Sequence, residues 1–283
     1  MKNFREKVLE LHKKNTGKLN VHPSVKIRNR QDLNLAYTPG VAIACEVIAE
    51  NKDLAYTYTS KGKTVAIVSD GSAVLGLGKI GPEAALPVME GKSVLLQTFS
   101  GIEAVPICLD TFDEEEIIKT VKYLSPNYSA IMLEDIQAPK CVYIEETLQK
   151  ELPIPVFHDD QHGTAIVVSA ALLNALKIVD KELEKIKIVV SGSGAAGSAI
   201  IKLLNQLGAK TIYNYNLLGV VNKNTYNQND QVVKAMVDQN YIKIDNGGET
   251  LSEIIKEADV FIGVSARNIL TKTMVETINK DAI

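Results

Sequence analysis

The chain has 283 residues, a net charge of -3, and 46% hydrophobic but only 5% aromatic residues; that is enough for two aliphatic-cored domains, and without a long basic run it excludes an electrostatic nucleic-acid surface. Cys45, Cys108 and Cys141 form no metal-spaced motif, and an odd, widely spaced set reads as reduced thiols of a cytoplasmic protein. Residues 1–7 lack an apolar signal core, and no apolar run is long enough for a membrane span.

Residues 3–14 place Phe4, Val8, Leu9 and Leu11 among charges, as a short amphipathic helix does. A polar, irregular stretch follows over 18–31. Pro39-Gly40 signals a turn with a helix after it, which puts Tyr37 in a loop; alone, Tyr37 reads as a packing residue with a hydrogen-bonded tip. Residues 63–69 form a buried parallel strand in this reading. They run into a loop with Gly71, Gly76, Gly78 and Gly81, which permits close backbone approach but has no phosphate-loop pattern. A helix comes next, and Gly91 is expected to end it. Lys92 then reads as a cation favoured by the helix dipole. Strand 104–109, a helix over 113–124 opened by four acids, strand 130–133 and helix 140–152 continue the alternation. The pattern predicts an α/β fold with a parallel sheet covered on both faces.

Two of these strands end in carboxylates. The run 130–133 meets Glu134 and Asp135, and the run 154–157 leads through His158 to Asp159 and Asp160. In open α/β sheets ligands sit outside the carboxyl ends of strands. Like charges gathered there are costly without a cation between them. Glu134, Asp135 and Asp160 are therefore the predicted metal ligands, and an all-oxygen set points to Mg²⁺ or Mn²⁺. The bland alternative is that such acids cap the following helix. His158 and His162, four apart, form a subsidiary pair, read as supporting rather than ligating.

After Gly163 a helix over about 164–179 carries the chain to a second domain, linked by the charged segment 180–185. Strand 186–191 is followed by Gly192-Ser193-Gly194-Ala195-Ala196-Gly197 and a helix over 198–207, with strand 210–216 beyond. A G-x-G-x-x-G between strand and helix predicts dinucleotide binding, with the pyrophosphate on the helix N-terminus. The second strand ends in Asn216, where an acid would mark NAD and a base NADP. Asn216 can reach a ribose, but the choice of cofactor stays open. Helices over 230–240 and 251–258, strand 259–264 and helix 272–279 complete the pattern, with Asn268 a weak candidate cofactor contact. Residues 280–283 read as the opening of one more strand, so the chain is expected to be truncated.

Five segments in order resemble the short bacterial form of the malic enzyme family: 36–42, Gly76 to Lys92, Leu133-Glu134-Asp135-Ile136, 157–164 and the glycine-rich turn. The resemblance spans the whole chain. It implies a catalytic, metal-binding parallel-sheet domain over 1–163 and an incomplete Rossmann-type, doubly wound NAD(P)-binding domain over 164–283. It also implies Mg²⁺- or Mn²⁺-dependent oxidative decarboxylation of L-malate to pyruvate and CO₂ with NAD⁺ or NADP⁺, oxaloacetate decarboxylation, and a homodimer. Tyr37 matches the family's general acid, Lys92 its general base and Asp159 the acid beside that base. Glu134, Asp135 and Asp160 match its metal ligands. The family's Asn-Pro turn and a later substrate-binding Asn fall beyond Ile283. Malolactic chemistry and a non-catalytic, ligand-binding or dimerising remnant are the competing expectations. A metal-dependent hydrolase built on His158 and His162 explains neither the glycine-rich turn nor Lys92.

Overall fold

The computed structural model describes residues 3–244 and 248–283. The chain divides into two compact units, Met1–Ile136 with Glu146–Val156, and Gln137–Glu145 with Phe157–Ile283. Among the described residues no helix is long and apolar enough to cross a membrane.

The first unit opens with four helices, α1 (Phe4–Asn15), α2 (Arg30–Ala36), α3 (Val41–Glu50) and α4 (Ala55–Tyr58). Asn3 caps α1 in a capping box with Glu6. None of the four buries a residue, although α3 is almost wholly apolar. Then come β1 (Thr64–Ser69), α5 (Pro82–Ser100), β2 (Glu103–Cys108), α6 (Glu114–Leu124) and β3 (Ala130–Leu133), while α7 (Lys140–Glu151) and β4 (Val156–His158) are divided, residues up to Glu145 of α7 and from Phe157 of β4 counting with the second unit. The sheet order is β2-β1-β3-β4. β1 pairs in parallel with β2 and with β3, Ile67 lying beside Pro106 and Met132. Ile67, Met89 and Ala104 pack together in the core under α5. Each large apolar side chain buried this way contributes on the order of 1.5–3 kcal/mol.

The helix expected to stop at Gly91 does not. α5 continues nine residues further, to Ser100, and its C-cap is Gly101 in the left-handed region at φ 70°. Ala85, Met89 and Ser93, four apart, keep one stripe buried straight through Gly91, so packing overrides the local glycine signal. Lys92 thus sits in mid-helix, away from the dipole's negative end. Asp113 caps α6 by accepting from the Glu116 N–H, so its acidic first turn is as expected.

The second unit contains α8 (Asp159–Ile178), β5 (Lys187–Ser191), α9 (Ala195–Gln206), β6 (Thr211–Asn216), β7 (Gly219–Val220), α10 (Gln231–Asp238), α11 (Leu251–Ile254), β8 (Val260–Gly263) and α12 (Lys272–Val275). Its sheet runs β7-β6-β5-β8, parallel except for the antiparallel β7. Side chains alternate faces along β5. Ile188 and Val190 join α8 and α9 through Leu172, Leu176, Ile200 and Leu204, while Val189 joins Tyr213, Leu251 and Ile254 on the other face. This is the doubly wound arrangement. Two helices begin earlier than their patterns suggested. α8 starts at Asp159, directly after β4, and α9 at Ala195. Asp159 and Asp160 are therefore first-turn helix residues rather than a turn before the helix. Ile283 exchanges backbone hydrogen bonds with Asp259 and Phe261 on the outer edge of β8.

Candidate active site

In the first unit, parallel pairing brings the carboxyl ends of β1, β2 and β3 side by side. The Glu134 N–H donates to Val68 O and the Leu109 N–H to Ser69 O, each at 2.9 Å. The glycine-rich loop after β1 folds back on itself. Ile80 and Gly81 donate to Gly71 O, and a Cβ on Gly71 would come within 2.3 Å of the Gly81 oxygen, so only glycine fits there. The Ala73 N–H donates to Asp135 O at 2.9 Å, tying this loop to the end of β3. Glu134 and Asp135 are both buried. Asp135 sits at φ 54°, in the left-handed region. Lys92 projects from α5 to place its Nζ 3.1 Å from Glu134 Oε1, so the predicted base and one predicted ligand are neighbours. Tyr37, which ends α2, is 67% exposed.

In the second unit the strand-to-helix corner holds Asp159 and Asp160 on the first turn of α8. A Cβ on Gly163 would lie 2.4 Å from Asp159 Oδ1. The absent side chain at 163 thus leaves the space that this carboxylate occupies. His158 is fully buried, with Nε2 4.0 Å from Asp160 Oδ2. Neither of its ring nitrogens has a hydrogen-bond partner among the described residues. Burial pushes the His158 pKa down, whereas a hydrogen bond to Glu145 pushes that of His162 up. Glu145, on α7, was not singled out by sequence. It is only 3% exposed, and its carboxylate accepts from the His158 N–H at 2.8 Å, from Gln161 Nε2 at 2.9 Å and from His162 Nε2 at 2.9 Å.

The glycine-rich turn follows β5. Gly192 has φ 120°, and a Cβ there would meet Val264 O at 2.9 Å; one on Gly197 would meet Gly192 O at 2.1 Å. Both glycines are required by packing. Gly194 differs: a Cβ would meet nothing within 4 Å, and no side chain caps the amino end of α9. Open space above uncapped helix N–H groups suits an anion. Ala195, Ala196 and Gly197 form the first turn of that helix. Asn216 is held locally, its Nδ2 donating to Ser193 Oγ at 3.1 Å and Asn229 Oδ1 at 2.7 Å, and its Oδ1 accepting from the Leu218 N–H. This fixes the end of β6 against the glycine-rich turn. Asn268, exposed at φ 59°, lies beyond β8.

An acid-bearing parallel-sheet unit together with a doubly wound unit carrying G-x-G-x-x-G defines an α/β protein of the dinucleotide-binding class. The comparisons narrow this. The family model for the malic enzyme N-terminal domain matches residues 16–118, and that for the malic enzyme NAD-binding domain matches 161–282. A bifunctional malic/malolactic enzyme of Bacillus subtilis is 51% identical over 280 residues, covering 99% of this chain and 68% of the relative. An NAD-dependent malic enzyme of Geobacillus stearothermophilus is 50% identical over 94% of this chain but 55% of its own length. The crystal structure of an NAD-dependent malic enzyme from Thermotoga maritima superposes with a TM-score of 0.92 at 46% identity, covering 97% of this chain and 72% of that one. The chain belongs to the malic enzyme family. It spans between about half and two thirds of the length of these two curated relatives.

Proposed function

We propose that this chain catalyses the oxidative decarboxylation of L-malate to pyruvate and CO₂ with NAD⁺ or NADP⁺ in the cytoplasm, that it also decarboxylates oxaloacetate, and that it works as a homodimer. Residues 1–163 supply the catalytic and metal-binding side chains and 164–283 the cofactor-binding segment. The observation that carries the reading is the pairing of Lys92 with Glu134 at 3.1 Å in a chain matched by both family models. The exposed apolar face of α3 supports self-association.

Glu134, Asp135 and Asp160 offer only carboxylate oxygens, the donors preferred by Mg²⁺ and Mn²⁺. These three would hold the cation. The glycine-rich turn 192–197, with Asn216 and Asn268, would hold the nucleotide. When bound, the cation supplies Lewis-acid polarisation of substrate oxygens and the nicotinamide accepts a hydride. The chain's own side chains manage the protons. Lys92 accepts the proton of the 2-hydroxyl, Asp159 orients that ammonium, and Tyr37 protonates C3 after CO₂ departs.

The test is absorbance at 340 nm with L-malate and Mn²⁺, with NAD⁺ and NADP⁺ in separate cuvettes. NAD(P)H formation that is lost on Lys92→Ala and sharply reduced by Tyr37→Phe is expected, with Mn²⁺ binding retained. Full activity in either variant removes these roles. A second reading, malolactic conversion, is motivated by the Bacillus relative's name; lactate without net NADH would reveal it. Malate and metal binding with no turnover would instead favour a non-catalytic remnant.

A further inference from the structure

Glu145 plays no part in the chemistry above, yet it is among the most deeply buried acids of the chain. A buried carboxylate is unfavourable unless donors surround it. Its donors are unusually concentrated. The His158 N–H, Gln161 Nε2 and His162 Nε2 all come from five consecutive residues. Those five include Asp159 and Asp160, so the bonds bracket the two acids on either side. No loop separates β4 from α8, and no side chain caps α8 at His158. The direction in which the first turn leaves the strand therefore depends on a carboxylate supplied by α7.

We propose that Glu145 is a positioning residue: it clamps the β4–α8 corner so that Asp160 is presented to a divalent cation at a fixed angle. The inference rests on the metal reading given above. Carboxylates and other groups that orient a ligand from behind typically set metal affinity by 10–100-fold. Replacing Glu145 by Gln keeps its volume but turns one acceptor into a donor facing Gln161 and His162, which are themselves donors.

The experiment measures Mn²⁺ binding by the electron paramagnetic resonance of the free ion, using the full chain as wild type, Glu145→Gln and His162→Gln. Folding is checked by circular dichroism, and amide exchange over 157–163 is followed without metal. The expected result is a folded Glu145→Gln protein with a Kd for Mn²⁺ raised about 10–100-fold, a smaller rise for His162→Gln, and faster exchange at the corner. Folded Glu145→Gln with wild-type Mn²⁺ affinity overturns the proposal, since a purely structural role would lower only the melting temperature. Unchanged exchange at 157–163 also overturns it. If wild type itself binds no Mn²⁺, the metal reading and the claim that the corner serves a cation both fall, and the exchange measurement alone decides whether Glu145 holds the corner.

Discussion

Gly197 and Gly194 are three residues apart in one motif, yet alanine should act on them in opposite ways. At Gly197 a Cβ would stand 2.1 Å from the Gly192 carbonyl oxygen and 3.4 Å from Val264 Cγ2. The carbonyl must retreat by about 1 Å to restore normal contact. It is held, however, because Asn214 Nδ2 donates to Gly192 O at 2.9 Å and the Gly192 N–H donates to Tyr215 O at 2.7 Å. Gly192 has little room to turn either, with Val264 O close by. Overpacking costs about 1–3 kcal/mol, and a buried hydrogen bond broken in relieving it adds about 1–3 kcal/mol. We expect Gly197→Ala to lose about 2–6 kcal/mol, and the melting temperature of the second unit to fall by about 6–18 °C. Gly194→Ala meets nothing within 4 Å, and its φ of -73° is ordinary for alanine. Its stability should stay within about 0.5 kcal/mol of wild type, while NADH affinity, read by fluorescence titration, should drop at least about tenfold as the methyl fills the anion's approach. Thermal melts and NADH titrations of both variants decide the matter. A Gly197→Ala protein that melts with wild type, or a Gly194→Ala protein that binds NADH normally, would refute the division of labour between the two glycines.

Asp259 yields a pH prediction. Burial alone would raise its carboxyl, but hydrogen bonds from Lys181 Nζ, the Lys187 N–H and Asn279 Nδ2 outweigh it and hold the pKa below the usual value. A depressed folded pKa contributes stability that is present above the unfolded pKa and lost as pH falls through the folded one. Asp259→Asn should therefore cost about 2–3 kcal/mol at pH 7 by urea denaturation, with the gap to wild type closing below about pH 4; a gap independent of pH would show the charge to be irrelevant. Thiol labelling gives another check. Burial pushes Cys141 up to about 12 and Cys108 up to about 11, whereas Cys45 is exposed. Any thiol that reacts rapidly with a disulfide reagent at pH 8 should be Cys45, so Cys45→Ser should abolish a rapid phase; rapid modification of Cys141 in native protein would contradict its burial.

The strands were legible because parallel strands buried on both faces leave continuous aliphatic runs, as at 64–69 and 187–191. The glycine-rich turn was legible because its flanks agree with it. Gly91 misled because a local stop signal carries less free energy than a buried stripe that continues past it. Gly163 misled in the same way: it reads as a break before a helix, yet it lies inside one, where its missing side chain accommodates Asp159. α2, α4 and the two-residue β7 are too short to leave a periodicity. Glu145 could not be found at all. Its meaning comes from donors 13–17 residues away, and in its own helix it is one acid among several polar residues.

Asp135 has a consequence for how this sequence can vary. Its backbone, at φ 54°, admits glycine, asparagine and aspartate with little strain and works against β-branched residues. Its carbonyl serves the Ala73 N–H whichever of these stands there. The main chain thus leaves an alphabet of about three letters, of which only one carries a charge. A library randomised at 135 and sorted for folding should return mostly those three. The same library sorted for Mn²⁺ binding should return aspartate, and the difference between the two pools would separate what the fold asks of this position from what the proposed metal site asks.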